Sequence, residues 1–188
     1  MTGETGDDGG YRVDASMWFF DSVLGHSKIP LGLDWEDLVK VVLICADADG
    51  EISEAERNFC IRLAAVGNAP KEVYDFCKTY DGKASDLKVV KKFLKKNPEH
   101  KHAVLYFAMR CCLADGDYDD YERAKVNLIG KSMGITDDVI LGIEDLIMRE
   151  DLLRTERLKL LNPERPTDMF IASPPQSAPT PEMSALSI

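Results

Sequence analysis

Residues 48–57 read ADGEISEAER and residues 114–123 read ADGDYDDYER. Alanine, aspartate and glycine coincide, an acid follows, a hydrophobe stands two after the glycine, and Glu-Arg closes both. Residues 49 and 115, 50 and 116, and 56 and 122 all pair at a constant offset of 66. The flanks agree as well. An apolar, cysteine-containing segment precedes each copy, and a helix-like segment ending near glycine (Gly67, Gly134) follows it. Self-similarity at a fixed spacing is the mark of a duplicated structural unit, here helix–loop–helix–helix.

The first copy looks like half of a calcium loop, and the second shows that it is something else. An EF-hand needs oxygen ligands at positions 1, 3, 5, 9 and 12, with glycine at 6. Placing Gly50 at position 6 puts Asp47, Asp49, Ser53 and Glu56 at 3, 5, 9 and 12, but Cys45 at 1. The second copy again has a cysteine at the first position, Cys111, and Leu113 at the third. Both copies lack the first ligand, so the stretch is a connector between helices. Ser53 with Glu56 three residues later forms a capping box that starts the next helix.

Working outward, 14–25 reads as a helix starting at a capping Asp14, and 34–48 as a second with Leu38, Val41, Val42 and Cys45 on one face. The third runs from Ser53, carries Phe59, Leu63 and Val66 inward, and ends at Gly67-Asn68. Pro70 opens 71–80, closed by Asp81-Gly82, and Ser85 caps a helix that stops at Asn97-Pro98. Segments 99–114, 119–133 and 136–161 complete the set. No alternating strand pattern occurs. The expected fold is all-α: a compact bundle of about eight helices in two pseudo-symmetric helix–turn–helix–helix units, joined by the lysine-rich helix 85–97. Residues 1–12 are expected to be disordered, 13–161 to form the domain, and 162–188, which hold six of the nine prolines, to form a flexible tail.

The formal net charge of −10 opposes nucleic-acid phosphates and anionic membranes, so no nucleic-acid partner is expected. The longest apolar runs fall well short of the ~20 residues of a membrane span. Five cysteines without a CxxC pair read as reduced thiols in a cytoplasmic protein. No phosphate loop, zinc-protease motif or nucleophile–base pattern occurs, and the chain is not expected to be an enzyme.

The two ADG-acid turns, each between an apolar helix and a second helix, resemble the TerB-like family, named for a bacterial tellurite-resistance protein. The resemblance spans roughly residues 14–150. It implies a compact helical domain with two units related by a pseudo-twofold axis. It further implies a non-enzymatic module of stress response and tellurite resistance, working near the inner face of the membrane and binding a divalent cation, calcium or magnesium, through its acids. At matching positions these are Asp49, Glu56, Asp115 and Glu122, with Asp47 and Asp117 as further candidates. Tyr118 departs from the pattern, standing where a small aliphatic is usual.

Two physical readings of these acids stand side by side. Each turn alone offers too few carboxylates for a hard cation, but four would converge if the turns met, and would repel one another without a counter-ion. Alternatively Glu56 and Glu122 cap helices while Asp49 and Asp115 turn the chain. A protein partner, membrane-associated or not, is expected in either case. Lys88, Lys91, Lys92, Lys95 and Lys96 make one basic face opposite Leu87, Val90 and Leu94, and this face is the candidate docking surface. His100 and His102, two apart on a helix, point to different faces and suit no shared metal. Trp18, Phe19, Phe20 and Trp35 form an aromatic cluster, either core or an exposed partner patch.

Overall fold

The computed structural model describes residues 8–28, 33–80 and 86–164. Among them lie eight α-helices and one 3₁₀ turn, and no strand. In chain order these are α1 (Asp8–Leu24), α2 (Trp35–Ala46), α3 (Glu54–Val66), α4 (Lys71–Cys77), α5 (Asp86–Lys96), the turn Pro98–His100, α6 (Lys101–Cys112), α7 (Asp120–Ser132) and α8 (Asp137–Leu161).

The offset of 66 read from the two turns recurs at the helix ends. The starts 35, 54 and 71 map onto 101, 120 and 137, and the ends 46 and 66 onto 112 and 132. The break comes at the last pair, where α4 has 7 residues and α8 has 25. Backbone details repeat too. Gly50 and Gly116 take φ of 98° and 94°, and Asn68 and Gly134 take 55° and 70°. Such left-handed conformations are open to glycine and tolerated by asparagine.

Helices α2 and α6 form the centre and pack mainly on each other. From Asp37 to Ala46 every residue of α2 is buried except Lys40. A helix apolar on all sides has no solvent face and must be surrounded. In α6, Val104, Leu105, Phe107, Ala108 and Met109 do the same. Helices α3, α4 and α5 cover α2, while α7 and α8 cover α6. Trp35 seals the first unit by lying over Gly67, where an added Cβ would sit 2.0 Å from its ring.

Several sequence expectations shift. The first helix begins at Asp8, so Asp14 is an exposed interior residue rather than a cap, and residues 8–12, expected to be disordered, are helical. The buried stripe of α3 is Cys60, Leu63 and Ala64, with Phe59 and Val66 at its margin. On α5, Val90 and Phe93 are fully buried and Leu87 is 43% exposed, so the inward stripe runs 90–93–97 and ends on buried Asn97. Asn97 earns that place by donating to the Phe93 carbonyl and accepting from the Asp34 N–H. Residues 81–85 and the expected tail from 165 onward lie outside the described residues, as do the stop at Asp81-Gly82 and the cap at Ser85. No helix among the described residues is long and apolar enough to cross a membrane.

Candidate functional site

Each acidic turn is built by the same three local bonds. Asp49 Oδ1 accepts from the Glu51 N–H at 2.9 Å, and Asp115 Oδ1 from the Asp117 N–H at 3.0 Å. Ser53 Oγ accepts from the Glu56 N–H at 3.2 Å while Glu56 Oε2 accepts from the Ser53 N–H at 2.7 Å. In the twin, Asp119 Oδ1 accepts from the Glu122 N–H at 2.8 Å, and Glu122 Oε2 from the Asp119 N–H at 3.1 Å. Both are complete capping boxes.

These bonds use one oxygen of each of five carboxylates, Asp49, Glu56, Asp115, Asp119 and Glu122. Because α2 packs on α6, the turns at their C-terminal ends lie together around one cavity. Between the turns is a cavity of about 240 Å³ lined by Asp49, Glu56, Asp115, Asp117, Asp119 and Glu122, with Glu51 at its edge. Glu56 and Glu122 form its floor, only 3% and 7% exposed, and Asp49, Asp115 and Asp117 its exposed rim. An oxygen of Glu56, an oxygen of Glu122 and the Cys112 sulfur lie within 4.8 Å of one another. Glu56 Oε1 is buried and meets no donor.

The electrostatics follow from that packing. Burial pushes the Glu56 carboxyl above its usual range, and the Asp115 charge adds to the rise. Burial likewise pushes Glu122 up, to about 9, with its hydrogen bond to the Glu56 carboxyl favouring the protonated form. The Cys112 thiol is raised as well, by burial first and then by the nearby charges, so it stands there neutral. Beneath the site, Cys111 Sγ donates to the Glu56 carbonyl at 3.5 Å and lies 3.7 Å from Cys60 Sγ, tying α3 to α6.

Of the six acids singled out in the sequence, five line the cavity. Asp47 does not; it ends α2, donating its N–H to the Leu43 carbonyl. Sequence reasoning passed over Cys112 and Glu51, and took Asp119 as a helix cap without placing it in the cation set. Asp119 was legible as the counterpart of Ser53, but Cys112 replaces Ala46 of the first unit and breaks the repeat. Tyr118 is buried, its ring under the Arg123 guanidinium, and takes the place of Ile52 as a core residue. The lysine face is divided. Lys92 pairs with buried Asp37 at 2.7 Å and Lys96 with Asp34, while Lys88, Lys91 and Lys95 stand exposed. His100 is half-buried with its ring perpendicular to that of His26, and His102 is exposed.

The TerB family, described as tellurite resistance protein TerB, matches residues 36–141. The chain belongs to the TerB family. A crystal structure of a tellurite resistance protein from Nostoc punctiforme is similar over 83% of this chain and 97% of that one. Its TM-score is 0.72 at 28% sequence identity. No curated protein matches. The TerB span contains both capping boxes and every residue of the acidic cavity, whereas α1 and most of α8 lie outside it.

Proposed function

We propose that this TerB-family chain is a non-catalytic helical module that binds one divalent cation, calcium or magnesium, between its paired acidic turns. The observation that carries the reading is the buried pair Glu56 and Glu122, whose carboxyl oxygens lie within 4.8 Å of each other while Glu56 Oε1 meets no N–H or hydroxyl donor, so that a shared proton or a cation must hold the pair together. A buried acceptor without a partner is costly, and a hard cation is the natural counterpart of several carboxylate oxygens in one small cavity. The capping role and the cation role use different oxygens, so each Glu serves both. In this reading Glu56 and Glu122 hold the ion from below, and Asp49 and Asp115, which line the same cavity, complete its shell from the rim. The Cys112 thiol is a poor ligand for a hard ion.

The test is a titration with calcium and with magnesium, followed by melting temperature and amide chemical shifts. The expected result is a rise in Tm with shifts centred on residues 47–56 and 112–122, both lost in Asp49→Ala/Glu122→Ala. An unchanged Tm at millimolar cation would remove the reading. A second reading, a scaffold for an acidic protein partner, is favoured by Lys88, Lys91 and Lys95, which stay exposed while their neighbours brace the fold. It predicts binding that survives chelation of divalent ions and is lost in Lys88→Glu/Lys91→Glu/Lys95→Glu.

A further inference from the structure

A second cavity, of about 620 Å³, opens between α1, α3, α6 and α8 and shares no lining residue with the acidic one. That volume lies within the range of small-molecule sites. Its lining is largely aromatic, with Trp18, Phe19, Phe59, Tyr106 and Phe107, of which Trp18 is 70% exposed. A solvent-facing tryptophan beside an open apolar groove is surface that a ligand would cover.

The charge at the groove runs against that of the whole chain. Four of the nine arginines line it, Arg62, Arg110, Arg154 and Arg157, on a protein of net charge −10. Arg110 is held by Asp151 at 2.8 Å, whereas Arg62, Arg154 and Arg157 are exposed and pair with no acid among the described residues. The one acid of the lining, Glu150, accepts from the Tyr106 hydroxyl at 2.7 Å. Three uncommitted guanidinium forks at the edge of an aromatic trough are complementary to an anionic head on an apolar body. Trp18 on α1, and Leu153, Arg154 and Arg157 on α8, come from segments outside the matched TerB span, so the groove is assembled by what flanks that core.

We infer that this groove binds a single-chain anionic amphiphile, a phosphate or carboxylate headgroup on a hydrocarbon chain. The arginines hold the headgroup and the chain lies along Trp18, Phe59 and Phe107.

The experiment uses the full chain and submicellar decyl phosphate, read by calorimetry and by tryptophan emission. Trp35 is packed over Gly67, so a blue shift reports Trp18. Saturable binding with a blue shift is expected, at least tenfold tighter than for decanol or for inorganic phosphate. Arg154→Glu/Arg157→Glu, at two exposed positions that leave far-UV circular dichroism unchanged, should weaken it at least tenfold, and Trp18→Ala should remove the shift. Decanol binding as tightly as decyl phosphate, or an unaltered affinity in the double charge reversal, overturns the inference. So does absence of saturable binding; Trp18 already shielded from acrylamide in the free chain would then assign the groove to a second copy or to the chain's own residues.

Discussion

At the scale of single residues, three positions carry more than their size suggests. Gly50 has open space where a Cβ would go, so the demand at its φ of 98° is conformational rather than steric. Gly50→Ala should cost about 1–3 kcal/mol in urea unfolding, with the rest of the fold intact. Gly67 is the reverse case: its φ of −75° suits any residue, but its Cβ would meet the Trp35 ring. Gly67→Ala should cost about 1–3 kcal/mol, and Trp35→Phe in that background should return part of the loss. Glu122 sets a pH dependence. It titrates near 4.5 when unfolded and at about 9 in the fold, so the native state holds the extra proton between those values. Its stabilising effect is fully present below about 4.5 and fades as pH rises through about 9. Glu122→Gln keeps the capping box yet cannot ionise. It should flatten the decline in Tm from pH 5 to 9 and raise Tm at pH 8 without divalent cation.

At the scale of elements, the capping boxes and the brace of α5 are separable. Ser53→Ala and Asp119→Ala should each cost about 1 kcal/mol through loss of a side-chain acceptor at a helix start. Lys92 and Lys91 sit side by side on α5, but only Lys92 reaches the buried Asp37 of α2. Lys92→Ala should therefore lower Tm, while Lys91→Ala should leave it unchanged. Much of this was legible in the sequence where the cause is local. Ser53-x-x-Glu56, the Gly67-Asn68 stop and the Asn97-Pro98 stop act within a turn or two of chain, and each falls where expected. What depends on neighbours was not legible. Leu87 lost its place to Phe93 because the angle at which α5 meets α2 decides which stripe faces inward. The start of α1 at Asp8 runs through two glycines that argue for no helix by propensity.

At the scale of the whole molecule, the repeat was the informative signal. The offset of 66 implied two like units; that their turns would face each other across one cavity needed the α2–α6 contact. The convergence of Asp49 and Glu56 with Asp115 and Glu122 was thus conditional in the sequence, and Cys112 and the arginine groove were not visible at all, since both arise where the units differ. The exposed part of α8 follows the same logic: with no counterpart in α4, it has no prescribed partner inside the duplicated core.

The shared floor of Glu56 and Glu122 has a consequence for how the two halves can vary. Each repeat contributes one half of a single electrostatic knot, so a change at either carboxylate alters the environment of the other, although 66 residues separate them. Substitutions there should compensate in pairs across the molecule rather than along the chain. A double-mutant cycle between Glu56→Gln and Glu122→Gln should show strong non-additivity, whereas Glu51→Gln with Glu122→Gln should be close to additive. The duplication thereby turns two loops into one heritable unit, and neither copy is free to drift alone.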